Sequence, residues 1–308
     1  MNIRDFKYLV AIADHCHFGK AADACFVSQP ALSMQIKKLE SSLGVKLIER
    51  NNKLTFLTEI GKMIATQARD LLQQVDAIKE IAKLASDPFR GECHLGIIPT
   101  LAPYLLPHII PGITQKWPNL KIYLTEEQTG NLVTKLKQGR LDAALLGLPI
   151  IDDDFDSLPL FKEELKLALP EDHPLANRKQ IRNTDLEEKA LLLLEDGHCL
   201  RDQILALCQS VNAFADKSFQ ATSLETLRYM VASKVGITLM PNLSCRQDNG
   251  ICYVPFSSPQ PARTIGIIWR ASSTKKVLFE NLIDHIRHLL SSLSTVKVMK
   301  TPLRCLNK

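Results

Sequence analysis

The stretch from Phe18 to Arg50, FGKAADACFVSQPALSMQIKKLESSLGVKLIER, constrains this chain more than any other. Residues 18–25 read as a short helix, and Val27 packs inward after it. Ser28 is a good N-cap for a third helix, with Pro30 in its first turn and Gly44 as its stop. Upstream, residues 3–14 put Phe6, Leu9, Val10 and Ala13 on one face at helical spacing. Two helices, a tight turn and a third helix make a helix-turn-helix. Leu32, Ile36 and Leu39 form the apolar face of the third helix. Its other face shows Ser28, Gln29, Ser33, Gln35, Lys37 and Lys38, groups that suit hydrogen bonds to bases and phosphates in a major groove. Gln29, Pro30, Ser33 and Gln35 are the expected base-facing residues. Lys37, Lys38, Arg50 and Lys53 are expected on the DNA backbone. A solvated helix in an ordinary bundle shows the same pattern, so the context decides.

That context is specific. Residues 45–50 and 54–58 read as two short strands, a wing. A long helix follows, and its Ile64, Ala68, Leu71, Leu72, Val75, Ile78 and Ile81 lie close to a heptad seam, which implies self-pairing. The expected division is a winged helix-turn-helix over 1–58 and a dimerising linker helix with its hinge over 59–90.

After the turn residues of 86–91 the pattern changes to alternating strand and helix. Strands are expected at 93–98, 121–125 and 143–148, with helices at 105–116 and 129–138 between them. Such alternation argues for a parallel sheet with helices on both faces. A strand at 163–169 crosses into a second lobe, with strands near 190–194, 219–221, 236–239 and 251–254. The strand at 264–269 returns, and a helix at 276–290 turns Leu278, Leu282, Ile286 and Leu289 inward. The fold class is therefore α/β with an α-helical reader, lobe 1 being 91–161 with 268–295 and lobe 2 being 162–267. Residues 296–308 are expected as a loosely held tail. Two lobes leave a crevice at the carboxyl ends of their strands. Thr100 and Thr129 follow the first two strands and are expected to face that crevice while capping helices. Residues 222–227 form another capped helix start, whose N–H groups could meet an anion.

Composition narrows the class. The 308 residues allow two or three domains, and 45% hydrophobic with 23% charged content is that of a soluble globular protein. No apolar run has bilayer length, and the N-terminal stretch carries acids and no small-residue cleavage site, so a cytoplasmic protein without membrane attachment is expected. There the eight cysteines are reduced at rest. No Cys or His spacing suits a metal, and no dinucleotide fingerprint or catalytic triad is present. Neither a cofactor nor an enzyme is expected. The net charge of +5 permits nucleic-acid binding without demanding it.

Residues 193–208, LLEDGHCLRDQILALC, hold Cys199 among Asp196, His198, Arg201 and Asp202, and Cys208 in an apolar run. Histidine and arginine beside a thiol favour the reactive thiolate, while a thiol buried among aliphatics is inert. On one helix the pair lies roughly 13 Å apart along the axis. A disulfide requires Cα atoms within about 7 Å, so bonding requires the helix to open. Two readings stand at this point: a redox switch, or two ordinary core thiols. The remaining cysteines, Cys16, Cys25, Cys93, Cys245, Cys252 and Cys305, read as ordinary inert thiols.

Residues 18–50 closely resemble the signature of the LysR-type transcriptional regulators: Ala21-Ala22, Ser28 to Ser33, Gln35-Ile36, Leu39-Glu40, Leu43-Gly44, Leu47 and Arg50. The resemblance implies a winged helix-turn-helix, a dimerising linker helix and a two-lobed effector domain of the periplasmic-binding-protein type. It further implies a homodimer or homotetramer on a double-stranded operator, with RNA polymerase as a partner. Farther on, IIPTLAPYLLPHIIP, LEDGHCLRDQ, ATSLETLR, GITLMP and RTIG resemble the peroxide-sensing members of that family. That likeness implies an activator of oxidative-stress genes, with Cys199 as the hydrogen-peroxide-reactive thiolate and Cys208 as its resolving partner in a reversible disulfide. Thr100 and Thr129 would hold peroxide, Arg263 would stand near the thiolate, and His198 and Asp202 would orient hydrogen bonds around it. Glutathione-linked reductants would reverse the bond. The competing expectations are a regulator that binds a small organic anion in the crevice and a thiol peroxidase.

Overall fold

The computed structural model describes residues 1–50, 55–84, 87–247 and 249–299. It divides into two compact units, Met1–Ser86 and Asp87–Lys308.

In the first unit, helix α1 (Ile3–His15) starts from a capping box between Asn2 and Asp5. Helix α2 (Phe18–Ala24) is capped by the His17 ring, which accepts from the Gly19 and Lys20 amides. Helix α3 (Gln29–Leu43) has Ser28 as N-cap and ends at Gly44, whose φ of 70° is left-handed. Leu9, Ile12, Ala21, Leu32, Ile36 and Leu39 are sealed in one core. Burying each large aliphatic is worth about 1.5–3 kcal/mol, which is enough to fix the angle between α2 and α3. Strands β1 (Ile48–Arg50) and β2 (Thr55–Leu57) pair antiparallel as the wing. Helix α4 (Glu59–Leu84) begins against β1: a Cβ on Gly61 would lie 2.1 Å from the Leu47 carbonyl oxygen, so only glycine fits that crossing. Along α4 the seam is half-buried at Ile64, Leu72 and Val75, and exposed at Leu71 and Ile78. The Ile81 side chain lies outside the described residues.

The second unit is built on strand β3 (Gly91–Ile97), parallel to β4 (Leu120–Glu126) and β5 (Ala143–Leu148). Helices α5 (Ala102–Lys116) and α6 (Thr129–Lys137) connect them. Strand β6 (Phe155–Pro170) is far longer than the expected 163–169 segment. Its first half joins lobe 1 and its second half joins lobe 2, so the expected lobe boundary at 161/162 falls inside one strand. Lobe 2 adds β7 (Ala190–Leu194), α7 (Cys199–Ser210), β8 (Phe214–Ala221), α8 (Leu224–Ala232), β9 (Thr238–Pro241) and β10 (Ile251–Pro255). Strand β11 (Ala262–Arg270) runs antiparallel to both β6 and β5. The lobe 1 sheet is therefore mixed, not wholly parallel as the alternation suggested. The returning strand had no helix before it to reveal its direction.

Helix α9 (Lys276–Leu290) buries Leu278, Leu282, Ile286 and Leu290; the expected Leu289 is only half-buried and rests on Gly112. The expected loose tail is also corrected. Strand β12 (Lys297–Val298) pairs with Lys162 and Phe161 of β6, Val296 is buried, and the Met299 amide donates to the Leu160 carbonyl. A two-residue edge strand is too short to leave a periodic signal. The remainder of that tail, 300–308 with Cys305, lies outside the described residues.

Candidate functional site

Two sites arise from these elements. The first is the outer face of α3. Leu32, Ile36 and Leu39 are sealed inward, while Gln29, Pro30, Lys37 and Lys38 are exposed and Ser33 and Gln35 are half-buried on the outer flank. Ser28 is exposed, and its hydroxyl accepts from the Ala31 amide, so it caps the helix. Lys53 lies outside the described residues, as does the Arg50 side chain. Glu40 was not singled out from the sequence as a brace. It is buried, and one carboxylate oxygen accepts from the Leu47 and Ile48 amides (2.9 and 3.3 Å), the other from Lys46 Nζ (3.1 Å). Burial alone would raise its pKa, but these bonds outweigh it and hold the carboxyl below its ordinary range. Glu40 thereby ties the reading helix to the wing.

The second site is the start of α7. His198 is its N-cap residue and Cys199 its first residue, so the thiol stands at the positive end of the helix dipole. Cys199 Sγ reaches out of lobe 2 and packs on the lobe 1 core. A Cβ on Gly147 of β5 would lie 3.0 Å from that sulfur, so glycine there makes its seat. Leu200, Ile204 and Cys208, on the opposite face of α7, are buried in the lobe 2 core. Burial pushes the Cys208 thiol up, which keeps it protonated and inert. Both cysteines are free thiols, nine residues apart in one helix.

The polar groups around Cys199 differ in part from expectation. Arg263 is buried, on the sheet face it shares with Ile265, the residue paired with Gly147, about 7 Å along the strand. Its Nε donates to Glu163 Oε2 (2.7 Å), Nη1 to Thr100 Oγ1 (3.0 Å) and Nη2 to the Thr100 carbonyl (3.1 Å). Thr100 is thus held by Arg263 and caps nothing; the N-cap of α5 is Leu101. Because its oxygen accepts from a guanidinium, its own hydrogen is left to be donated. The N-cap of α6 is Gln128, so Thr129 is not a cap either, and its buried Oγ1 has no partner. His198 is buried, and its Nε2 makes no hydrogen bond, Glu195 Oε1 standing 3.9 Å away. Burial holds its imidazole below the ordinary value of 6.5, against the opposing pull of Glu195. It is neutral at pH 7 and adds no positive charge beside the thiol. Arg201 is turned away to the Leu194 carbonyl and Asp196. Asp202 is exposed on the first turn.

Three residues not singled out from the sequence complete the site. Gln203, one turn past Cys199 on the same helix face, has a buried amide oxygen without a partner. Its i,i+4 spacing was a usable signal. Gln128 of lobe 1 donates to Glu195 Oε1 (3.0 Å) and the Asp196 carbonyl (3.3 Å) of lobe 2. Glu163 lies opposite Arg263 in the β6–β11 register, which no spacing reveals. Among the other cysteines, burial pushes Cys93 and Cys245 up to about 12, in line with inert thiols.

A winged helix-turn-helix followed by a two-lobed sensor with a thiol in its cleft defines a class of DNA-binding regulators. Residues 3–62 match the bacterial regulatory helix-turn-helix family of LysR, and residues 86–291 match the LysR substrate binding domain. The chain belongs to the LysR-type transcriptional regulators, and is a regulator rather than an enzyme. Within that family it is 48% identical over 290 residues to the DNA-binding transcriptional dual regulator OxyR of Escherichia coli K12, covering 93% of this chain and 95% of that one. Full-length variant OxyR from Pseudomonas aeruginosa superposes with a TM-score of 0.78 at 38% identity, covering 93% and 95% of the two chains. A hydrogen-peroxide-bound OxyR mutant from Corynebacterium glutamicum superposes with a TM-score of 0.66 at 32% identity, covering 94% and 92%.

Proposed function

We propose that this chain is a hydrogen-peroxide-responsive activator of oxidative-stress genes, switched by a reversible Cys199–Cys208 disulfide. The observation that carries the reading is the placement of two free thiols at opposite ends of α7, one in the cleft and one sealed in the lobe 2 core. The likeness to OxyR proteins, one of them peroxide-bound, supports it.

In the proposed reaction the Cys199 thiolate attacks one peroxide oxygen. An S–O bond forms as the O–O bond breaks, and the departing hydroxide takes a proton and leaves as water. The sulfur is oxidised by two electrons to a sulfenic acid, and the peroxide is reduced. Thr100, donating its own hydrogen, and Thr129, unpartnered in the resting state, hold the peroxide and stabilise the charge that develops on it. Helix α7 then opens, and the Cys208 thiol attacks the Cys199 sulfur. The S–S bond forms, the S–O bond breaks, and the hydroxyl leaves with the thiol proton as water. His198 shapes the start of α7 as a neutral group. Asp202, exposed on the first turn of α7, favours the helix N-terminus through its charge.

The outer face of α3, Ser28 to Lys38 with Arg50 and Lys53, reads an operator as a homodimer or homotetramer. The exposed apolar Leu71 and Ile78 of α4 support self-pairing. RNA polymerase, glutathione-linked reductants and a cytoplasmic setting complete the reading. An organic anion in the crevice is the weaker alternative, because Arg263, the buried cation beside it, already neutralises Glu163. The test is transcription from a responsive promoter: Cys199→Ser abolishes the response to peroxide, and a retained response overturns the reading.

A further inference from the structure

We infer that Glu163 is a positioning residue for the peroxide reaction: through Arg263 it sets the direction in which the Thr100 hydroxyl donates. The inference rests on the function proposed above and names a residue that function does not require. Glu163 sits on β6 and is completely buried, as is Arg263 opposite it on β11. Two unpaired charges could not remain there, so the pair is obligatory. The carboxylate is also used at both ends. Oε2 accepts from Arg263 Nε, and Oε1 accepts from the Leu243 amide (2.7 Å) in the turn over 242–244. That turn is itself fixed, since Asn242 Nδ2 donates to the Thr295 carbonyl (2.9 Å). Glu163 therefore cannot swing.

A carboxylate fixed at two points holds the guanidinium plane, and the plane decides where its remaining N–H groups go. They go to both oxygens of Thr100. A hydroxyl whose lone pair is occupied by a cationic donor has its own O–H strengthened as a donor, and rotation about its C–O bond is restricted. Thr100 is thereby committed to donating, which is what an oxygen gaining negative charge requires. Glu163 also offsets the positive charge of Arg263, so the guanidinium acts at Cys199 more through geometry than through net charge.

The experiment compares two reagents at Cys199 in the reduced full-length protein. Hydrogen peroxide needs the oriented hydroxyl, and iodoacetamide needs only an accessible thiolate. Glu163→Gln is expected to lower the peroxide rate at Cys199 at least about tenfold while the iodoacetamide rate is kept or raised. Glu163→Asp keeps the charge on a shorter arm and is expected to fall between wild type and Glu163→Gln in the ratio of the two rates. If Glu163 merely supports the fold, both rates move together with the melting temperature, and the inference is overturned. A ratio equal to wild type in either variant overturns it as well. Should Glu163→Gln not fold, Glu163→Asp decides alone. A wild-type Cys199 that ignores peroxide would instead sink the proposed function and leave the inference without its reaction.

Discussion

At the scale of single residues the site is marked by polar atoms held without partners. Thr129 Oγ1 is buried and unbonded, a state that costs about 1–3 kcal/mol. Valine has nearly the same shape and no such cost. Thr129→Val is therefore expected to leave the melting temperature unchanged or raise it, while the peroxide rate at Cys199 falls at least about tenfold. Thermal unfolding and stopped-flow oxidation measure the two sides. His198 makes the site sensitive to acid. Its folded-state value lies below its ordinary 6.5, so the unfolded chain binds the proton more readily. The stability it contributes is complete above that ordinary value and is lost as the pH falls through the depressed one. Protection of the amides over 199–202, measured against their intrinsic exchange rates, is expected to fall as the pH drops below about 6.5, and His198→Asn is expected to flatten that dependence. Residues of this kind were only partly legible in the sequence. Cys199 stood out by its polar neighbours and Thr100 and Thr129 by their place after strands, while Arg263 and the peroxide roles came from the likeness to peroxide-sensing regulators. The neutrality of His198 and the diversion of Arg201 to Leu194 depend on burial and on which way a side chain turns. Neither is carried by spacing.

At the scale of elements, periodicity was a good guide to most helices and strands standing on one core, although β8 begins at Phe214, ahead of the expected 219–221. Helix α9 and strands β5 and β7 begin and end where the pattern places them. It failed for β6, which serves two lobes and so has no single face to repeat, and for β12, which is two residues long. The N-caps expected at Thr100 and Thr129 failed because Leu101 and Gln128 hold those positions, the Thr100 hydroxyl being taken by Arg263. In the proposed switch the element that must open is α7, and the loop before it is latched. Gly197 has φ +93°, and a Cβ there would meet Gln128 Oε1 at 2.4 Å. Gly197→Ala therefore strains the backbone by about 1–3 kcal/mol and displaces Gln128 from Glu195 and Asp196. Timed alkylation after peroxide is expected to show the Cys199–Cys208 bond closing several-fold faster than in wild type, with a lowered melting temperature.

At the scale of the whole molecule, the chain joins a helix-turn-helix unit to a two-lobed unit that holds both cysteines of the proposed switch. Opening α7 exposes Leu200 and Ile204, each worth about 1.5–3 kcal/mol. That burial favours the closed helix, which keeps the thiols apart at rest. The most direct test follows hydrogen exchange and peptide mass on the full-length protein before and after one equivalent of peroxide. The account predicts a new Cys199–Cys208 linked peptide and a loss of amide protection centred on 199–210. Protection of α7 retained through oxidation, or a disulfide that forms between other cysteines, would contradict it.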